Sequence, residues 1–323
     1  MELITHVIDG EAVESADRAR FASVDPWTQR PWAEVALGGA AEADRAVRAA
    51  RKAFDEGPWP RMSRAERGAL LHRLADLVLE HTEELAAADS SDMGKPLRDM
   101  RTADIPRTAA NFRFFADHAR LATGETYPMD SGHHAYSRFD PVGVVVAIAP
   151  WNFPLMLESW KVAPALAWGN TVVLKPAEDT PASATILARL ALEAGLPPGV
   201  LNVVHGYGPD SAGSALTEHH GVDRITFTGE SGTGRVIARA ASANLVPVRL
   251  ELGGKGAKLV FDDADMESAV DWSIRAVFLN AGQVCLAGSR LYVQRGVYEE
   301  FLDRFVAAAE AMVVGDPTDD GTQ

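Results

Sequence analysis

A chain of 323 residues with 47% hydrophobic side chains is long enough for two domains or one large α/β unit, and that apolar content excludes a disordered polymer. Its 31 basic against 45 acidic side chains leave a net charge of −14, which opposes attraction to phosphate backbones or anionic lipid and argues against a nucleic-acid or membrane partner. A single cysteine cannot close an intrachain disulfide, and "MELITHVIDGE" has neither the basic nor the apolar stretch of a secretion signal, so a cytoplasmic protein is expected.

Residues 41–55 and 63–90 place alanine, leucine and valine at helical spacing among charges. "DIPRTAANFRFFADHARL" opens a further helix after Pro106, so the first third is predicted to be mainly helical. "ETYPMDSGHHAYSRFDP" breaks the pattern with turn formers and aromatic residues, predicting an extended, loop-rich connection. The run Val142 to Ala149 is followed at once by Pro150 and Pro154; it is far shorter than the ~20 residues of a membrane span and reads as a buried strand. From there the pattern repeats as strand, turn, helix: "VGVVVAIAP", "NTVVLKP", "LNVVHG", "DRITFTG" and "PVRLELGG". Such alternation predicts a parallel sheet covered on both faces, with ligands at the carboxyl ends of the strands. A last strand-helix-strand unit runs through "AKLVFDDADMESAVDWSIRAVFLNAGQVCLAGSRLYVQ". No internal repeat or low-complexity tract is visible.

The strand ends carry the conspicuous residues: "PWNFP", "KPAE", "FTGESGTGR" and "ELGGK". Gly229, Gly232 and Gly234 lie between a strand and a helix, where they either admit a phosphate to backbone N–H groups or serve only packing. Lys175 and Glu178 are either a pair for two ribose hydroxyls or a solvated face. The lone cysteine, Cys285 in "NAGQVCLAG", is either a small buried hydrophobe or a nucleophile, with Gly282 and Gly288 permitting close backbone approach. Glu251, between two leucines at the end of a strand, is either a half-buried carboxylate or a general base, the plain alternative being a structural ion pair. Asn152 either stabilises a turn or offers its amide to an oxyanion. His133-His134 and His219-His220 are adjacent pairs expected to diverge, and no metal site is expected.

Together, "PWNFP", "KPAE", "FTGES", "LELGGK" and "NAGQVCLAGSR", in this order and spacing, resemble the aldehyde dehydrogenase superfamily, and the match runs along the whole chain. The resemblance implies an α/β fold: a Rossmann-like, parallel-sheet NAD-binding domain from residues 1–122 and 142–250, an oligomerisation arm over 123–141, and the first part of an α/β catalytic domain over 251–323. It implies that Cys285 attacks the aldehyde carbon, that the Cys285 N–H and Asn152 stabilise the oxyanion, that Glu251 activates water for thioester hydrolysis, and that Lys161 lies in the proton path. For NAD it implies contacts from Pro150, Trp151, Lys175, Glu178, Gly208, Gly229 and Ser231, and the carboxylate of Glu178 favours NAD over NADP. Glu230 stands where many members have a serine that bonds the pyrophosphate, a bond an anion cannot donate.

"DIPRTAANFRFFAD", "HGYGPDSAG" and "FTGESGTGR" further resemble the branch that oxidises 2-hydroxymuconic and 5-carboxymethyl-2-hydroxymuconic semialdehydes in aromatic catabolism. Arg107 matches an arginine near the mouth of that branch's substrate channel, suited to a substrate carboxylate. By the same resemblance the chain stops soon after the nucleophile, so it is expected to be C-terminally truncated, and a homo-oligomer is expected of the longer form. Two other classes stay open: a catalytically silent NAD-binding or assembly fragment, and a cysteine hydrolase or acyl transferase, the latter disfavoured because no histidine is placed as its base.

Overall fold

The computed structural model describes residues 2–323. It opens on five strands: β1 (Glu2–Ile4), β2 (His6–Ile8), β3 (Glu11–Val13), β4 (Arg20–Asp25) and β5 (Arg30–Ala36). The first third is mainly helical from residue 40 onward, and these five opening strands, which no sequence pattern had announced, precede the helices. β2 pairs antiparallel with β10 (Leu201–Val203) through Val7 and Val203, a pairing no local periodicity announces. β1, β5 and β4 form a small sheet of their own.

The helices that follow are α1 (Ala40–Asp55), α2 (Arg64–Glu80), α3 (Thr82–Met93), the single turn α4 (Leu97–Asp99) and α5 (Ile105–Leu121), close to the predicted spans. α2 starts at a capping box, with the Ser63 hydroxyl accepting from Glu66 N and the Glu66 carboxylate accepting from Ser63 N. α3 stops at Gly94, whose φ of +74° suits glycine. Residues 123–141 carry only the exposed hairpin of β6 (Thr126–Tyr127) and β7 (Ala135–Tyr136).

All five strands expected after Val142 are present: β8 (Val144–Ile148), β9 (Thr171–Lys175), β10, β11 (Arg224–Gly229) and β12 (Val248–Leu252). Between them lie α6 (Pro154–Ala167), α7 (Ala182–Glu193), α8 (Ala212–Thr217) and α9 (Ser231–Ala243). The seven-stranded sheet runs β12-β11-β8-β9-β10-β2-β3, parallel from β12 to β10. β8 shows why it is covered on both faces. Val145 and Ala147 join a core with Leu74, Phe112, Leu155 and Leu187, while Val144, Val146 and Ile148 join another with Ala46, Leu216 and Ile237. The two-residue alternation of a strand thus feeds two helical layers. From β8 the chain winds outward through β9 and β10, then returns to β11 on the other side, so the switch point lies between β8 and β11.

Beyond it, β13 (Ala257–Val260) and β14 (Arg290–Val293) pair in parallel, with α10 (Met266–Phe278) and α11 (Tyr298–Glu310) packed around Val260, Val270 and Phe301. No helix of the described residues is long and apolar enough to cross a membrane.

Candidate active site

The parallel strands end on one side of the sheet, and their register gathers the polar residues. Ile148 is opposite Lys175, Thr228 opposite Glu251, and Gly229 opposite Leu252. The crevice at the switch point is where open α/β sheets bind ligands, and the chain leaving β8 enters it as Pro150, Trp151 and Asn152. Trp151 is exposed and Asn152 half-buried.

The loop carrying Cys285 meets this crevice through amide contacts. Asn152 Nδ2 donates to Gln283 O at 2.8 Å, and Asn280 Nδ2 donates to Asn152 O at 2.8 Å. An amide nitrogen has two hydrogens, so Asn152 keeps a second donor beside the Cys285 loop. Cys285 is exposed, which sets aside the reading of it as a small buried hydrophobe. Asn280 and Gln283 escaped the sequence reading; the one available signal was an asparagine before Ala-Gly, a composition that suits a left-handed turn.

Lys161, on α6, points back toward the strand ends. Its Nζ donates to Thr228 Oγ1 at 2.5 Å. Burial lowers its pKa to about 8, with the nearby charge of Glu251 opposing the shift. Glu251 corrects an expectation: it is exposed rather than half-buried, and Arg249, two residues back on the same face of β12, holds its carboxylate at 2.7 Å. Thr228 is a further site residue the sequence reading missed.

Lys175 is almost fully buried at the end of β9, where it donates to Pro176 O at 3.0 Å and to Glu178 Oε2 at 3.3 Å. An ammonium has three donors, so one remains uncommitted among the described residues. Burial pushes its pKa down, against the pull of Glu178. Gly229 closes β11, and a Cβ there would sit 2.6 Å from the tip of the Phe227 ring, so a larger residue would have to displace that ring. Ser231, half-buried, begins α9. Glu230 caps that helix, its carboxylate accepting from Thr233 N at 3.0 Å; the N–H groups of Gly232 and Thr233 hold it below the usual carboxylate range. Open space surrounds Gly208.

Arg107 is exposed in the first turn of α5, away from the Cys285 loop in sequence and joined to the site through the packing of α5 on α6. The histidine pairs lie outside the site. His219 and His220 do not diverge as expected: their rings stack with centroids 4.8 Å apart, and His219 Nε2 lies 3.3 Å from Asp44.

Behind the crevice, α3 and α6 bury carboxylates that the sequence reading passed over. Asp89 accepts from Leu155 N in the first turn of α6. Asp92 accepts from Ser23 Oγ, Trp32 Nε1 and Ala182 N. Burial raises both to about 7. Glu158 is fully buried with no partner for either oxygen among the described residues, and burial beside Asp89 and Asp92 holds its pKa well above the usual range. Lys95 pairs with Asp104 at 2.6 Å and stands 4.3 Å over the Phe153 ring, next to Asn152.

Residues 12–323 match the model of the aldehyde dehydrogenase family. The chain is 51% identical over 312 residues to aldehyde dehydrogenase family 2 member B4, mitochondrial, of Arabidopsis thaliana, covering 96% of this chain and 58% of that protein. It is 48% identical over 323 residues to 2-hydroxymuconic semialdehyde dehydrogenase of Pseudomonas sp. (strain CF600), covering 99% and 66%. The NAD+ complex of aldehyde dehydrogenase from Bacillus cereus superposes with a TM-score of 0.97 at 42% identity, covering 100% of this chain and 65% of that one. The chain therefore spans less than two thirds of the length of these relatives.

Proposed function

The chain belongs to the aldehyde dehydrogenase family, and from that premise we propose that its residues serve NAD-dependent oxidation of an aldehyde to a carboxylic acid through a thioester on Cys285. The observation that carries this reading is the seating of the Cys285 loop, through Gln283 and Asn280, against Asn152 at the sheet's switch point. NAD suits the residues present: a buried Lys175 with a donor to spare, Glu178 beside it for ribose hydroxyls, and the small residues Gly229 and Ser231 at the start of α9. Pro150, Trp151 and Gly208 complete the proposed contacts. The relative from Bacillus cereus is an NAD+ complex, which supports the assignment. When bound, NAD supplies the hydride acceptor.

The remaining steps belong to side chains. The Cys285 thiolate adds to the aldehyde carbon, and the charge that develops on oxygen meets the second Asn152 N–H and the Cys285 N–H. After oxidation, Glu251 draws a proton from water, which attacks the thioester and releases the acid. Glu251 reaches water readily in its exposed position. Lys161, held at Thr228, receives or relays the proton.

The substrate class we assign is a carboxylate-bearing semialdehyde of the kind named for the Pseudomonas relative, with Arg107 offering a planar fork to its carboxylate. The exposed β6–β7 hairpin supports assembly with further copies. The test is NADH formation from NAD and a 2-hydroxymuconic-type semialdehyde, beside Cys285→Ala. NADH that depends on the cysteine supports the reading. NAD binding without turnover supports the second reading, a catalytically silent binding or assembly fragment.

A further inference from the structure

The segment before Cys285 has a backbone that needs explaining. α10 ends at Phe278, Leu279 leaves the helix with a ψ of 131°, and Asn280, Ala281 and Gly282 follow with φ of 54°, 54° and 79°. Glycine adopts left-handed conformations freely and asparagine tolerates them, but alanine does so rarely. Three in a row immediately ahead of the nucleophile imply a restraint from outside the turn.

That restraint is visible as an exchange of amide bonds. Asn280 Nδ2 donates to Asn152 O at 2.8 Å and also reaches Gln283 O at 3.4 Å. Asn152 Nδ2 donates to the same Gln283 O at 2.8 Å. Gln283 N closes the turn on Asn280 O at 3.0 Å. Gln283 stands two residues before the thiol, so whatever fixes its carbonyl also fixes the approach of Cys285 to Asn152.

We infer that Asn280 is a positioning residue: its amide clasps the Asn152 carbonyl, holds the left-handed turn, and so sets the Cys285 thiol against the uncommitted Asn152 N–H. The inference rests on the reading of Cys285 as nucleophile and Asn152 as oxyanion donor. Loss of the clasp leaves an exposed thiol able to react but misaligned for attack on a carbonyl, where small displacements cost large factors in rate.

Two reagents, used without NAD, separate these effects. p-Nitrophenyl acetate acylates the thiolate: the bond from Sγ to the acetyl carbon forms, the bond to the nitrophenolate oxygen breaks, and charge develops on the carbonyl oxygen. Iodoacetamide alkylates the same sulfur by displacing iodide and makes no oxyanion. Asn280→Gly keeps the left-handed backbone and removes the amide. Asn280→Asp keeps size and shape, but its carboxylate cannot donate to Asn152 O. Both are expected to slow acylation by about 10- to 100-fold, while in Asn280→Gly, which adds no charge, alkylation changes by no more than about threefold, as access to the sulfur is kept. Ala281→Gly, which relieves the backbone and leaves the clasp, retains wild-type acylation. Acylation at the wild-type rate in Asn280→Gly overturns the inference. So does a parallel fall in acylation and alkylation, or a wild-type protein that acylates no faster than the variants. A wild-type protein that acylates on Cys285 yet forms no NADH leaves the clasp standing and removes only the dehydrogenase reading.

Discussion

Lys161 reaches across from α6 to the Thr228 hydroxyl at 2.5 Å, tying a helix that begins just after Asn152 to the strand that lies beside Glu251. Burial lowers the Lys161 pKa to about 8, so the residue changes charge within the working range of an enzyme.

If Lys161 must be neutral to take a proton during thioester hydrolysis, turnover rises with pH through about 8 and then levels. Lys161→Gln should lose that limb. The stability effect has a definite sign: between about pH 8 and the ordinary lysine value the unfolded chain holds the extra proton, so stability contributed by this residue increases with pH across that window. A pH profile of hydrolysis unchanged in Lys161→Gln would exclude it from the proton path.

Glu158 yields a prediction about stability alone. Its carboxyl has no partner among the described residues and titrates well above the ordinary range because burial and the neighbouring Asp89 and Asp92 disfavour its charge. A folded pKa above the unfolded one gives stability that is complete below the unfolded value and disappears as pH rises. Glu158→Gln, which cannot ionise, should raise the melting midpoint by about 2–4 °C at pH 8.5 and leave it nearly unchanged at pH 4. Equal shifts at both pH values would show that packing, not charge, controls the site.

Glu230 occupies the N–H groups at the start of α9, the place proposed above for the cofactor. Glu230→Ser keeps a good helix cap and removes the anion. Titration should show NAD bound several-fold more tightly in the variant. Weaker binding would mean that the carboxylate helps to hold the cofactor.

Glu178 beside the buried Lys175 is expected to select a free ribose 2′-hydroxyl. In Glu178→Ser the ratio of kcat/KM for NAD over NADP should fall by about tenfold, one lost charge-assisted contact being worth about 1.5–3 kcal/mol. A ratio that does not move would place the discrimination elsewhere.

For Arg107 the expected signature is a KM effect restricted to anionic substrates. Arg107→Ala should raise KM for a carboxylate-bearing semialdehyde by about tenfold or more, the scale of a lost hydrogen bond to a charged group, and leave an uncharged aldehyde unaffected. A low KM for the anionic substrate that survived the substitution would remove Arg107 from the substrate site.

The parallel strands and most long helices were legible because each carries its own pattern, an apolar run closed by Gly or Pro, or a helical stripe between charges. The opening strands were not. β2 finds its partner nearly two hundred positions away, at Val203, and β1 through β3 are three residues each, too short for a period to register. The strand-end motifs pointed to Asn152, Lys175 and Glu178 because unusual residues follow apolar runs, and Cys285 stood out as the lone cysteine in an uncharged stretch flanked by glycines. Asn280 left only the faint signal of an asparagine before Ala-Gly, and the Thr228 hydroxyl meets Lys161 of α6, a contact between distant segments that leaves no mark in composition. Asp89, Asp92 and Glu158 sit on helices where acids are ordinarily solvated, so their burial emerged only from the packing of α3 and α6. Glu251 went the other way: its place between two leucines suggested burial, but β12 is the sheet's edge strand and leaves it open.

Whether Cys285 carries the acyl group is read by intact mass and peptide mapping of Glu251→Gln after mixing with NAD and a semialdehyde. The expected result is an acyl adduct on Cys285 that forms only when NAD is present, accumulates because hydrolysis is slowed, and is absent from the Cys285→Ala protein. NADH released with Cys285 unmodified, or turnover that persists in Cys285→Ala, would contradict it.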